Sequence, residues 1–366
     1  MPGARREKRP PAHFRLEQRV RHVKKPAKFE AAYHALARIG SGPITEEAAA
    51  EIKRALESPT SLLVAKAAEI AGRRGLTELI PDMASAFDRF LADGARVDKQ
   101  CNAKTSIAEA LNKLEYMGNA VLVAGARYVQ MEPAFGGPAD TAAGLRCACA
   151  SGLARIEHPD AHYVLADLLV DPDRTVRSAA ARALAYLGSP EGEVLLRLKA
   201  LTGDSEPDVI SECFTGLMTM APERSLDFVA RYLRSGGPAV SESAALAIGG
   251  SRLPRAYDTL RQHWDDEVSP TVRRRLLLPI ALIRSPEAFS FLLEVVRTAD
   301  TKTAAHAVSA LRIYADDESV RKRRPTRETT TRSTLPEPRP KENGRSSIRI
   351  TQNTSIPSGA TFPRRL

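Results

Sequence analysis

The sequence predicts an all-α chain, folded as an α-solenoid of about eight antiparallel helix pairs between two basic tails. Three observations lead there. Prolines recur at a fixed interval, apolar residues keep register with them, and the apolar stock is aliphatic. Pro159, Pro190, Pro222, Pro254 and Pro286 are separated by 31, 32, 32 and 32 residues. A fixed period of this length is the mark of a stacked repeat. Hydrophobic residues make up 43% of the 366-residue chain but aromatic ones only 5%. A core of Ala, Leu, Val and Ile follows, and that composition favours helices over strands.

Each of those prolines opens a similar phrase, such as Ser189-Pro190-Glu191 or Ser285-Pro286-Glu287. Proline at the first helical position gives up an N–H that has no partner there anyway, and an acid beside it faces the positive end of the helix dipole. Ser189 and Ser285 are suited to cap the helix. Pro172, Pro207, Pro238 and Pro270 fall about halfway between, so each repeat holds two helices.

Apolar columns repeat with the prolines. Leu165, Leu196, Phe228, Leu260 and Leu292 form one on the first helices, and Leu169, Ala200, Tyr232, Trp264 and Val296 another. On the second helices Leu145, Val176, Val209, Val240 and Val272 are followed four residues on by Cys149, Ala180, Cys213, Ala244 and Leu276. Eight residues on come Leu153, Leu184, Leu217, Ile248 and Ile280. Positions 0, +4 and +8 share one helical face. One such unit cannot bury that face alone, so neighbours must stack.

Upstream, helices are expected at 28–39, 45–57, 61–73, 76–92, 103–117, 119–132 and 139–156, with a period nearer forty residues and a Gly/Pro break at 135–138. The expected division is a disordered basic arm over 1–27, the solenoid over 28–315 (looser to 138, regular from 139) and a disordered basic tail over 316–366. Charge supports it. Residues 1–28 hold ten Lys/Arg against two Glu, and 321–366 hold twelve against three, balances of +8 and +9; the total of +10 leaves −7 for the body. Basicity in the tails does not make the body a nucleic-acid-binding fold.

The stretch Asp171-Pro172-Asp173-Arg174-Thr175-Val176-Arg177-Ser178-Ala179-Ala180 resembles the HEAT repeat, and more narrowly the short HEAT-like repeat named after phycobilisome lyases. The resemblance implies an α-solenoid whose second helices line the concave face. The pattern of an acid followed by Val-Arg stands at Asp171/Val176/Arg177, and Glu267/Val272/Arg273 is close to it. After Asp204/Val209 the Arg is replaced by Ile210, and Val240 is followed by Ser241.

Positions +2, +6 and +9 of the second helices are expected to line the groove. They carry Cys147, Ser178, Ser211, Glu242 and Arg274; Ser151, Arg182, Thr215, Leu246 and Leu278; and Ala154, Ala185, Met218, Gly249 and Ala281, with Arg312 extending the last line. Arg182, Met218, Leu246, Arg274, Leu278 and Arg312 are the candidate partner-binding residues. A nucleic-acid groove would need many Lys/Arg and stacking aromatics. A small-residue, partly apolar groove suits a protein or peptide segment. The expected function is therefore a non-enzymatic scaffold or adaptor. A bilin lyase or isomerase role follows only from the resemblance, and nucleic-acid association only from the tails.

No catalytic, cofactor or metal set is expected. A HEAT-like iron hydroxylase would need His-Glu pairs, and none of the seven His is followed by Glu. Glu157-His158-Pro159-Asp160-Ala161-His162 reads as a helix boundary rather than a metal site. Cys147 and Cys149 diverge by ~200° around a helix and cannot share a ligand. Cys149 and Cys213 belong to the core column, Cys101 to a loop, and Cys147 is the possible exposed thiol. Trp264 belongs to a core column, and of Arg273, Arg274 and Arg275 only Arg274 should reach the groove. Lack of an apolar run excludes a transmembrane helix and a secretory signal, and four Cys in such a chain suit a reducing cytoplasm.

Overall fold

The computed structural model describes residues 28–315. The expectations for 1–27 and 316–366 fall outside the described residues. Helices follow one another along the chain: α1 (28–41), α2 (Glu46–Leu56), α3 (Ser61–Arg74), α4 (Ile80–Leu91), α5 (Gly94–Val97), α6 (Asn102–Lys113), α7 (Ala120–Ala126) and α8 (Ala143–Arg155). The regular stretch continues as α9 (Ala161–Leu168), α10 (Arg174–Leu187), α11 (Pro190–Thr202), α12 (Pro207–Met220), α13 (Pro222–Ala230) and α14 (Gly237–Ser251). It closes with α15 (Pro254–Asp266), α16 (Pro270–Leu282), α17 (Pro286–Thr298) and α18 (Thr301–Leu311). Each even-numbered helix from α8 packs on the next, α8 on α10, α10 on α12 and so to α18, while the odd-numbered helices cover them from one side. The fold is an all-α solenoid.

The repeat phrases act as helix starts. Ser189 Oγ accepts from the Gly192 amide and Ser285 Oγ from Ala288, with Pro190 and Pro286 in the first turn. Pro159 is an exception. The ring of His158 accepts from the Asp160 amide at 3.1 Å, a local turn that delays α9 to Ala161. The +4 and +8 columns are buried throughout, from Cys149 and Leu153 to Leu276 and Ile280. Each buried Leu contributes about 1.5–3 kcal/mol relative to an exposed one. A small residue beside the columns, at +9, lets backbones approach: a Cβ on Gly249 would lie 2.1 Å from the carbonyl oxygen of Pro279, on the next even-numbered helix.

The break at 135–138 holds something the periodicity does not announce. Met131–Glu132 (β1) pairs antiparallel with Ala139–Asp140 (β2), with Met131 opposite Asp140. Gly136 and Gly137 turn between them at φ of 94° and 130°, where a side chain would be strained. The expected helices over 119–132 and 139–156 shorten accordingly to α7 and α8. Beneath the hairpin lies a buried polar knot. Lys104 Nζ meets Asp98 Oδ2 at 2.9 Å with both side chains fully buried, and Gln130 Nε2 donates to the Asp98 carbonyl at 2.8 Å. This knot fills the irregular segment that lengthens the upstream repeats. No described helix is long and apolar enough to cross a membrane.

Candidate functional site: the groove along the even-numbered helices

Two rows of side chains run along the even-numbered helices, one buried and ionic, one open. The buried row begins with Asp140. Arg146 places Nη1 2.7 Å from Asp140 Oδ2 and grips Asp171 with Nε and Nη2 at 2.8 and 3.0 Å. Arg177 repeats the bidentate grip on Asp204 at 2.8 and 2.8 Å, and Lys199 Nζ adds a third contact at 2.8 Å. Each carboxylate also accepts the amide two residues on: Ala142, Asp173 and Glu206. Burial alone would raise the Asp204 carboxyl, but the hydrogen bonds from Arg177, Lys199 and the Glu206 amide outweigh it and hold the group well below the usual carboxylate range.

The open row is +2, +6 and +10, joined by +3 at Glu212, Ser243 and Arg275 but not at the buried Ala179, rather than +2, +6 and +9. Position +9 lies on the flank covered by the next even-numbered helix, as the Gly249–Pro279 approach shows. Met218 is therefore 3% exposed and does not line the groove; Ala154 and Ala281 are buried for the same reason. Arg312, at the same position on the last helix, has no following helix among the described residues and is exposed at the end of the stack rather than in the groove.

Leu246, Arg274 and Leu278 come together. With Glu242, Thr271, Arg275, Lys302 and His306 they line a cavity of about 670 Å³ between α14, α16 and α18. Leu278 is 45% exposed there. Arg275 also reaches this wall, its Nε 3.8 Å from Glu242 Oε2, so the three adjacent arginines send two side chains to the groove rather than one. Arg273 instead turns back, donating to the Trp264 carbonyl at 3.1 Å. Arg182 lines a separate, smaller hollow of about 360 Å³ between α10 and α12 and pairs with Glu212 at 2.6 Å.

The remaining candidates are placed by packing. Cys147 is only half-exposed, its Sγ 3.9 Å from Thr175 Oγ1, and burial pushes its thiol up, away from the reactive thiolate. Cys101, expected in a loop, closes a single 3-10 turn over Lys99–Cys101 and is buried, and burial pushes its thiol up to about 11. Cys213 is pushed up to about 12 by the same cause. Trp264 packs edge-on to Phe291 at 5.3 Å. His162 bonds to Ser189 Oγ at 2.6 Å across repeats, and His158 serves its own turn. Among the described residues no three His, Cys, Asp or Glu converge as a metal set.

The HEAT repeat pattern matches residues 139–197 and 194–278, the stretch that carries the columns and the ionic row. Residues 139–278 are HEAT repeats. Solved structures similar to it include the complex of the CpcE and CpcF subunits of phycocyanin lyase from Nostoc sp., at 18% identity and TM-score 0.34 over 74% of this chain and 96% of that one. Human deoxyhypusine hydroxylase is similar at 17% identity and TM-score 0.28 over 70% and 99%. An engineered protein matches at 18% identity and TM-score 0.36 over 76% and 83%. Superpositions this loose set no residue of the HEAT chain against a residue of theirs. No curated protein matches the sequence.

Proposed function

We propose that this HEAT-like chain is a scaffold that holds an extended protein segment in the cavity between α14, α16 and α18. The observation that supports it is the pairing of chemistries in that wall. Leu246 and Leu278 supply an apolar floor open to solvent, and Arg274, Arg275 and Lys302 supply a basic rim. Arg275 pairs loosely with Glu242 at 3.8 Å, and the Arg274 charge reaches Asp300, helping to hold that carboxyl below its ordinary range. The segment it suits carries an apolar residue close to an acidic one. Clusters of partly exposed aliphatics with charged rims are common docking features on repeat surfaces. No covalent step is assigned to the groove.

A display library of random peptides, selected on the full chain, tests this. Enriched peptides should pair an apolar residue with Asp or Glu, and should lose binding when Leu246 and Leu278 are both changed to Glu while helical content stays the same. Selected peptides that bind the double variant as well as the parent would refute the groove. Met218 is left unchanged, because a charge there would enter the core.

A further inference from the structure

A second cavity, of about 300 Å³, lies beside the first, between α14 and α16 and the end of α15. It sits where the ionic row is interrupted. The carboxylate of that row stands five residues before each second-helix column residue: Asp140, Asp171, Asp204, then Ser235, then Glu267. The guanidinium stands one residue after it: Arg146, Arg177, then Ile210, Ser241, Arg273. Hence Ser235 replaces an acid, and Ser241 replaces the arginine that would grip Glu267. The third member is replaced too. Lys199, which holds Asp204, stands nine residues after Pro190; the same count from Pro254 reaches His263.

The substitutions leave unmet groups. His263 is 5% exposed and lines the cavity, and neither ring nitrogen has a hydrogen-bond partner. Burial first, and Arg234 second, lower its pKa, so it is a neutral imidazole at pH 7, with one unused N–H and one unused lone pair. Glu267 accepts the Ser269 amide at 2.7 Å and makes no ion pair within 4 Å among the described residues. The two arginines in the wall are already engaged, Arg234 with Asp266 at 2.5 Å and Arg275 with Glu242 at 3.8 Å. Ser241 Oγ is spent on the Leu233 carbonyl at 2.7 Å. Glu267 is the carboxylate of the lining left without an ion pair.

We infer that this cavity binds a guanidinium group from outside the chain, taking the place that Arg146 and Arg177 fill in the earlier repeats. Glu267 accepts two of its N–H groups side by side, as Asp204 accepts those of Arg177, and the free lone pair of His263 accepts a third. A planar five-donor cation matches that set better than a compact ammonium does. The volume sits at the small end of ligand pockets, about 300–1,000 Å³, enough for an arginine side chain or a small guanidine. The inference does not depend on the groove proposal, since it concerns a different cavity and a different ligand charge.

The test titrates the full chain with methylguanidinium, with acetyl-arginine amide and with butylammonium. It reads the imidazole resonances of His263 by NMR and the heat of binding by calorimetry. Saturable binding of either guanidinium probe, with the His263 ring shifting along the same isotherm, is the expected result. The tighter of the two tells a free guanidine from an arginine side chain. Glu267→Gln should weaken binding about tenfold or more, since a charge-assisted pair is lost. Ser241→Arg should supply the guanidinium from within, abolishing probe binding and raising Tm. Three results would overturn the inference: no saturable shift with either guanidinium probe, as a cavity holding water only would give; equal affinity for butylammonium; or undiminished binding to Glu267→Gln, which serves if Ser241→Arg does not fold.

Discussion

The stretch from α8 to α12 and the stretch from α13 to α16 share one repeat and one set of apolar columns, yet they are held differently. In the first, Arg146 and Arg177 bind the carboxylate of the following turn, so every repeat is clamped to its neighbour by a buried, bidentate pair. From Ile210, at the end of the first stretch, onward, Ser235, Ser241 and His263 also replace the clamp's parts, and a cavity opens where it would have closed. The apolar seam is the same in both, with Leu184, Leu217, Ile248 and Ile280 all buried. The seam therefore suffices to build the solenoid, and the ionic row is an addition that can be dropped locally. Both ligand-sized cavities that involve α14 and α16 lie where it has been dropped.

The largest contrast should come from truncating the two equivalent acids. Asp204→Ala strands Arg177 and Lys199, both mostly buried, and should cost about 3–5 kcal/mol of unfolding free energy. Glu267→Ala removes only the bond to the Ser269 amide and should cost about 1 kcal/mol, the worth of a capping contact. Urea melts of the two variants decide it, and equal losses would break the comparison. Next in size, Gly249→Ala pushes a methyl onto the Pro279 carbonyl and should cost about 1–3 kcal/mol by the same melts, since the seam is tight even where the clamp is missing.

Acid should act on the clamped stretch first. Asp140, Asp173 and Asp204 are all held below the usual carboxylate range in the folded chain. Their contribution is complete above the unfolded value near 3.9 and is lost as pH falls below it. Helical signal followed from pH 7 to 2 should be flat to about pH 4 and then fall. Asp204→Asn should make the fall shallower, because one such proton uptake is gone. The smallest effect should be that of Leu278→Glu, at an exposed site: within about 0.5 kcal/mol of the parent in stability, while binding of groove-selected peptides is lost.

The fold was legible because proline and the apolar columns report on backbone and core, the two things periodicity encodes. Most regular helices begin where the prolines stand; Pro159 misleads because the His158 ring takes the Asp160 amide, and Pro172 because Asp173 caps α10 two residues further on. Less was legible of the hairpin at 131–140, whose strands are two residues each and too short to show alternation. In the groove, Leu246, Arg274 and Leu278 were legible from spacing. Met218 was not, because position +9 is lateral, and whether a lateral position is covered depends on the neighbouring helix rather than on its own. The departures from the acid–Arg pattern at Ile210 and Ser241 were visible in the sequence. Their consequence was not, since the carboxylate and the guanidinium of one clamp lie 27 residues apart at Arg177 and Asp204, and only packing reveals that they meet.

Hydrogen–deuterium exchange of the full chain, resolved helix by helix, tests most directly whether the clamp separates the two stretches. Amides in α10 and α12 should be protected up to the free energy of global unfolding, and those in α14 and α16 should open with a smaller free energy under the same conditions. Equal protection across all four helices would contradict the account and leave the ionic row without a role in setting local stability.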